Sequence, residues 1–308
     1  MGIARRFASD HMWSERTIQL IRAACDEDLG RVGDITAGLL TDPDVEISAR
    51  IVSRAAGVIC GLALGPQVCE VFGERLGASL AFAVAQAAGR SRADGDLVQV
   101  GKTIATVRGA HAAVLALERT LLNFLGRMSG VATLTRRYVD AARKANPNVR
   151  ILDTRKTIPG WRELDKYAVR TGGGDNHRMG LYDAVLIKDN HLAGVPVERL
   201  AETLQELLTR VSAAPAFVEV EVDNLEQLAE VCKVERVDIV LLDNFSLDEL
   251  RKAVAYRDSQ GLREKLALEA SGKVTLENVA DIAATGVDRI SVGALTHSAA
   301  SLDIGLDF

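Results

Sequence analysis

Aromatic side chains are scarce in this chain, at 4% of its 308 residues. That is too few for a platform on which single-stranded nucleic acid stacks. Cysteine is scarcer still. Cys25, Cys60, Cys69 and Cys232 form no Cys-x-x-Cys pair and lie near no matched histidine pair. Neither a zinc site nor a secreted disulfide framework is expected, and the thiols read as small buried hydrophobes in a reducing compartment. Positive charge is not in excess: 37 Lys and Arg face 42 Asp and Glu, for a net charge of -5. This argues against a basic surface for nucleic acid and leaves room for a local basic pocket. Long apolar runs are missing too. The most apolar stretch, Ala55 to Pro66, is about half a membrane span and is cut by Gly57, Gly61 and Gly65. Met1 to Arg6 has no apolar segment behind it, and Arg6 stands where a myristoylation signal needs Ser or Thr. The expectation is a soluble, cytoplasmic chain with neither membrane nor nucleic acid as partner. No Gly-x-Gly-x-x-Gly turn is present, which disfavours a dinucleotide-binding fold.

What is present is a large apolar fraction, 48%. At this length roughly 75% of the unfolded surface can be buried, so the core needs no staples. Length alone suggests two domains, or one barrel with an appendage. Residues 1–128 are mixed: a helix from Glu15 to Leu29, and β-like runs at Ile47–Val52 and Asp96–Val100, the latter preceded by a hairpin-type Asp94-Gly95. A helix follows from His111 to Arg127. Its Val114, Leu117, Leu121 and Leu125 fall within about 80° of one another on a helical wheel. Arg119, Asn123 and Arg127 line the other side, which reads as a solvated face.

Residues 129–308 have a rhythm. Apolar runs end at Leu152, Ile187, Val222, Leu242, Leu268 and Val292. Between them lie helical segments at 197–211, 225–232 and 247–256, and another from an N-cap at Thr275 to Gly286. Strands alternating with helices of this length make βαβ units and a parallel sheet. So many units in so short a span suit an incomplete α/β barrel better than an open doubly wound sheet. The polar residues sit where a barrel places chemistry, at the C-terminal ends of its strands. These ends are Asp153-Thr154-Arg155-Lys156, Lys188-Asp189-Asn190-His191, Glu219-Val220-Glu221, Asp243-Asn244, Glu269-Ala270-Ser271-Gly272 and Gly293-Ala294.

Three signals follow. Ser271, Gly272, Gly293 and Ala294 lie in the last two loops, where small residues let backbone N–H groups approach a phosphate. Glu221 and Asp243 end neighbouring strands; beside a phosphate they call for a hard cation such as Mg²⁺, or they bind ribose hydroxyls directly. Arg155, Lys156, His177, Arg178, Lys188 and His191 form a dense positive cluster, which in an acidic protein implies a polyanionic substrate. Gly172-Gly173-Gly174 before His177 reads as a mobile loop.

In these residues the chain resembles the quinolinate phosphoribosyltransferase family, the carboxylating nicotinate-nucleotide pyrophosphorylases. The resemblance runs through Glu27-Asp28-Leu29-Gly30, Glu118-Arg119-Thr120 with Asn123, Thr154-Arg155-Lys156-Thr157, His177-Arg178, Lys188-Asp189-Asn190-His191, Leu242-Asp243-Asn244, Glu269-Ala270-Ser271-Gly272 and Val292 to Ser298. It implies an N-terminal α/β sandwich (1–128) and an irregular, incomplete, about seven-stranded α/β barrel (129–308), the tail returning to the first domain. It also implies a homodimer, or a hexamer of three dimers, in which one subunit's first domain covers the other's barrel mouth. The implied activity is phosphoribosyl transfer from phosphoribosyl pyrophosphate to the ring nitrogen of quinolinate, with decarboxylation to nicotinate mononucleotide, in NAD biosynthesis. Arg119, Arg155, His177 and Arg178 would then meet the pyridine dicarboxylate. Lys156, Lys188 and His191 would serve phosphate, ribose or the second carboxylate. Glu221 and Asp243 would hold ribose and Mg²⁺, with Lys156, Glu221 and Asp243 the catalytic set. Ser271, Gly272, Gly293 and Ala294 would bind the 5-phosphate. The final proton donor is left open between Lys156, His177 and water. Three other readings stand beside it: a relative of the same family acting in molybdate uptake or on another pyridine carboxylate, a Schiff-base aldolase using Lys156 or Lys188, and, from a separate region, a carrier module around Asp94-Gly95-Asp96.

Overall fold

The computed structural model of the chain describes residues 13–40, 42, 45–211 and 214–308; Met1 to Arg6 lie outside them. It divides into two compact units.

The first unit comprises residues 1–134, 158–172 and 299–308. Ser14 caps helix α1 (Glu15–Leu29), its side chain accepting from the Thr17 N–H. One α1 face, Thr17, Ile21, Cys25 and Leu29, recurs every four residues and is buried. Asp34 Oδ1 accepts from the Thr36 and Ala37 N–H groups at 3.0 Å, starting the short α2 (Ala37–Leu40). The sheet is antiparallel: β1 (Glu46–Ser53) lies between β7 (Thr103–Ala110) and the last strand, Ile304–Asp307, and β7 also pairs with β3 (Leu80–Val84). Ala49, Ile51, Ile104 and Val107 bury one face, and α3 (Gly65–Leu76) precedes β3. Two short ladders complete the unit. One joins β2 (Gly57–Val58) to β6 (Leu97–Val98), the other β4 (Gln86–Ala87) to β5 (Arg90–Ser91).

The two-residue hairpin is therefore at Ala88-Gly89, both at positive φ (50° and 79°) as a primed turn requires, and not at Asp94-Gly95. Asp94 instead accepts the Leu62 N–H at 2.9 Å and the Tyr167 hydroxyl at 2.7 Å.

Helix α4 (His111–Ala145) runs on for 35 residues, well past Arg127. Arg119 and Asn123 are exposed as expected. Arg127 is not: its guanidinium meets Asp165 at 3.0 Å and the Ala299 carbonyl at 3.2 Å. Asp165 lies on α5 (Arg162–Thr171) in the same unit.

The second unit comprises residues 135–157 and 173–298. Its six parallel strands are β8 (Arg150–Leu152), β9 (Val185–Ile187), β10 (Val218–Val222), β11 (Ile239–Asp243), β12 (Ala267–Ser271) and β13 (Arg289–Ser291), in the order β8-β13-β12-β11-β10-β9. Beyond β8 a seventh position is held by one residue: Asp175 makes a parallel bridge to Leu152. Its N–H donates to the Ile151 carbonyl at 2.8 Å, and Arg150 grips its carboxylate at 3.0 and 3.1 Å. The glycines before it are thus not an open mobile loop: Gly172 caps α5, and Gly173 turns the chain at φ 94°. Helices α6 (Leu200–Thr209), α7 (Leu225–Val231), α8 (Leu247–Ser259) and α9 (Val279–Ala284) follow successive strands, and α10 (Ala294–His297) follows β13. Ser246 and Glu249 form a reciprocal capping box on α8. α9 starts later than expected: Asn278 stands at its N-cap position without a side-chain bond to the helix, its Oδ1 instead accepting the Thr275 N–H at 2.8 Å.

The register sorts the strands' two faces. Val218, Val220, Val222, Val240, Leu242, Leu268 and Ile290 are buried on the helix side. The other face carries Glu219, Glu221, Leu241, Asp243, Glu269, Ser271 and Arg289, in adjacent ranks. Alternation in a strand thus turns an apolar-looking run such as Val218-Glu219-Val220-Glu221-Val222 into a helix-packed face and a functional one.

Candidate active site

The rim is built loop on loop. After β8, Asp153 is fully buried; its Oδ1 accepts the His177 N–H at 2.9 Å and its Oδ2 the Asn176 side-chain amide at 2.5 Å. Thr154 Oγ1 accepts the Lys156 N–H at 3.0 Å. The Thr296 hydroxyl, within α10, lies 2.7 Å from the Lys156 carbonyl and 3.2 Å from that of Gly293. At Gly293 a Cβ would stand 3.1 Å from Lys156 Cδ and 3.2 Å from the His297 ring. A lysine stem and an imidazole therefore close over a bare backbone, as a phosphate pocket requires.

Three cations gather here without counter-ions. Among the described residues no carboxylate comes within ion-pair distance of Arg155, Lys156 or Arg178. Arg178 is buried, with a guanidinium nitrogen 3.4 Å from the Ala184 carbonyl. Burial first, and then the charge of Arg155, hold its pKa below the usual guanidinium value. Like charges kept together without a partner are matched by an anionic ligand. Lys188 differs: its Nζ is paired with Glu221. His191 ends the short turn after Lys188, where its Nδ1 accepts the Lys188 N–H at 2.9 Å. Its ring braces that turn.

Beneath the rim lies a buried charge array. His177 Nε2 is 2.9 Å from Glu219 and 3.5 Å from Glu269, both carboxylates being fully buried. Arg289 Nε donates to Glu269 at 2.6 Å. Burial pushes the imidazole toward neutrality, but the two carboxylates outweigh it and lift its pKa to about 9. The Arg178 N–H, 2.8 Å from Nδ1, opposes protonation because it needs a ring lone pair. A neutral hydrogen bond contributes about 1 kcal/mol and a contact to a charged group about 1.5–3, so the carboxylates prevail. Burial and the neighbouring Glu269 raise the Glu219 pKa, while His177 and Arg289 hold that of Glu269 down against its burial. These three ligand-type side chains converge to within 4.8 Å. The positive charges facing the two carboxylates are the protein's own, on His177 and Arg289.

The ribose-side candidates lie on β10 and β11. Glu221 is buried; Asp243 is half-buried two positions further along the shared face. Asp243 pairs in register with Ser271, and Gly272 follows at φ 96°. The oxygen-only donor set of Glu221 and Asp243 suits a hard cation that retains waters, which is how Mg²⁺ is held. The structure thus brings Arg155, Lys156, His177, Arg178, Lys188, His191, Glu221, Asp243, Ser271, Gly272, Gly293 and Ala294 into one unit. Arg119 belongs to the other unit, where its side chain is 67% exposed. Sequence reasoning gave no role to Glu219, Glu269, Asn244 or His297. A period-two reading of β10 and β12 finds the first two, since they share a face with Glu221 and Ser271.

A parallel α/β unit whose strand ends gather unpaired cations beside two carboxylates defines an enzyme acting on small polyanions. Comparison with known proteins is more specific. The profile of the quinolinate phosphoribosyl transferase C-terminal domain matches residues 131–307, and that of the N-terminal domain residues 34–129. Nicotinate-nucleotide pyrophosphorylase [carboxylating] of Mycobacterium leprae is 44% identical over 289 residues, 93% of this chain and 95% of that protein. The structure of nicotinate-nucleotide pyrophosphorylase from Ehrlichia chaffeensis superposes with a TM-score of 0.81 at 36% identity, over 96% of this chain and 99% of that one. NadC from Streptococcus pyogenes gives 0.85 at 31% identity, over 97% and 98%. The chain belongs to the quinolinate phosphoribosyl transferase family. No helix among the described residues is long and apolar enough to cross a membrane.

Proposed function

We propose that the chain transfers the phosphoribosyl group of phosphoribosyl pyrophosphate to the ring nitrogen of quinolinate, releasing pyrophosphate and CO₂ and leaving nicotinate mononucleotide, a step of de novo NAD biosynthesis. The observation that carries this reading is the trio Arg155, Lys156 and Arg178, which among the described residues forms no ion pair, in the same unit as Glu221 and Asp243. Arginine forks suit the two carboxylates of the pyridine ring, and a lysine suits a phosphate oxygen. In the first step the ring nitrogen bonds to ribose C1 as the bond from C1 to the pyrophosphate oxygen breaks. Positive charge grows on the ribose, where Glu221 and Asp243 favour it, and negative charge on the leaving oxygens, where Lys156 and Lys188 do.

Glu221 and Asp243 would hold Mg²⁺, which when bound neutralises charge on the pyrophosphate. Once the ring nitrogen is cationic, the bond to the adjacent carboxylate breaks to give CO₂. The carbon left behind takes a proton from Lys156, His177 or water. His177, anchored over Glu219 and Glu269, fixes the start of the chain segment that presents Arg178 to the acceptor. Ser271, Gly272, Gly293 and Ala294 take the 5-phosphate, with His297 over Gly293. His191 fixes the turn that presents Lys188. Most of the rate comes from orienting two mutually repelling anions, so the cations act first on binding.

The same reading takes the enzyme as cytoplasmic and as a homodimer or a hexamer of dimers, residues 1–128 of one subunit covering the partner's barrel and Arg119 reaching its acceptor. Exposed Arg119 and Asn123, on the helix that would face the partner, support it. The test is a product balance: mononucleotide and CO₂ in equal amounts from quinolinate support the proposal, and absence of turnover refutes it.

A further inference from the structure

Asn244 follows Asp243 at the end of β11 and has φ 56°. Asparagine enters the left-handed region more readily than most residues, yet still at a cost that persists only where the surroundings fix it. Here they do so three times. Its N–H donates to the Ser271 carbonyl at 2.9 Å. Its side-chain Nδ2 donates to Asp243 Oδ2 at 2.7 Å. Its Oδ1 occupies the space a Cβ on Gly272 would take, so that such a Cβ would collide with it and lie 2.7 Å from Asn244 Cγ. The left-handed turn folds the side chain back onto its own neighbour; an extended backbone would carry it away. One residue thus joins the carboxylate on β11 to the loop after β12.

We propose that Asn244 is a positioning residue that locks the Asp243 carboxylate and the Ser271-Gly272 loop into one cradle for phosphoribosyl pyrophosphate. The inference rests on the function proposed above. By occupying Oδ2, the amide directs Oδ1 of Asp243 toward ribose or cation. By filling the space above Gly272, it fixes the backbone offered to the 5-phosphate and makes glycine obligatory there.

The test compares Asn244→Ala and Asn244→Gly with the unsubstituted protein, by calorimetric binding of phosphoribosyl pyrophosphate with Mg²⁺ and by the KM of each substrate. Loss of a hydrogen bond to a charged group predicts about tenfold weaker binding. The KM for quinolinate should change less than twofold. Asn244→Gly keeps the turn without the side chain, so it should recover the thermal stability lost in Asn244→Ala and leave binding weak. Normal binding in either variant, or an equal rise in both KM values, would overturn the proposal. Binding by the unsubstituted protein without turnover of quinolinate would refute the proposed reaction and leave the cradle standing. No binding at all would overturn both.

Discussion

Cations held side by side repel, and among the described residues Arg155, Lys156 and Arg178 form no ion pair, Glu219 and Asp183 acting on Arg178 only from beyond ion-pair distance. Their arrangement favours binding over stability. Arg155→Ala should therefore lower kcat/KM for quinolinate roughly thirtyfold, about 2 kcal/mol of transition-state stabilisation, without lowering Tm. Steady-state kinetics and thermal unfolding check both parts; unchanged kcat and KM would remove Arg155 from the site. His177 makes a pH prediction. Its pKa rises from the ordinary 6.5 to about 9, so the stability drawn from its carboxylate contacts is complete below about pH 6.5. It falls between those values and is gone above the upper one. Ring titration by NMR, with unfolding at either end of that range, measures it. Arg155, Lys156 and Lys188 stood out in sequence because they lie within four residues of the end of an apolar run, where a strand must stop, whereas Arg178 follows a glycine-rich segment. The duties of Glu219, Glu269 and Asn244 were not. A buried carboxylate's partner and a left-handed turn are set by neighbours distant in sequence.

The strand rhythm survived into the structure because helix-packed faces of parallel strands must be apolar whatever the loops do. β8 to β11 and β13 end within one residue of where the apolar runs stop, and β12 continues past Leu268 to Ser271. Helix α4 was legible only in its first half. There the apolar stripe is regular; from Gly126 onward Met128, Ser129, Val131 and Ala132 are buried on several sides, so the amphipathic signal disappears. Gly126 and Gly130 permit this. A Cβ at Gly130 would collide with the Ala300 carbonyl oxygen and lie 2.9 Å from its carbon. Gly130→Ala gains about 1 kcal/mol of helix propensity and meets backbone that cannot rotate aside. Overpacking of this kind costs about 1–3 kcal/mol. Net destabilisation in chemical denaturation is expected, and a stabilised variant would contradict this packing. Arg127 teaches the same lesson: a wheel assigns a face to solvent, but Asp165 and the Ala299 carbonyl, far along the chain, cover it.

At the scale of the molecule the chain is discontinuous in both units. The segment holding α5 lies with the first unit although it interrupts the second, and the last ten residues rejoin the first as the edge strand beside β1. Ile304–Asp307 is too short to carry a strand signal of its own, and its pairing depends on β1, some 250 residues earlier, which is why composition alone could not place it. The site depends less on such returns, because one unit supplies the strand ends and the loops that bear all but Arg119. The central claim is that this rim gathers a dicarboxylate and a phosphoribosyl donor for transfer coupled to decarboxylation. It is tested by incubating the protein with phosphoribosyl pyrophosphate, Mg²⁺ and either quinolinate or nicotinate, and counting mononucleotide and CO₂. The account predicts equal amounts of both from quinolinate and little mononucleotide from nicotinate. Efficient mononucleotide formation from nicotinate, or mononucleotide from quinolinate without CO₂, would contradict it.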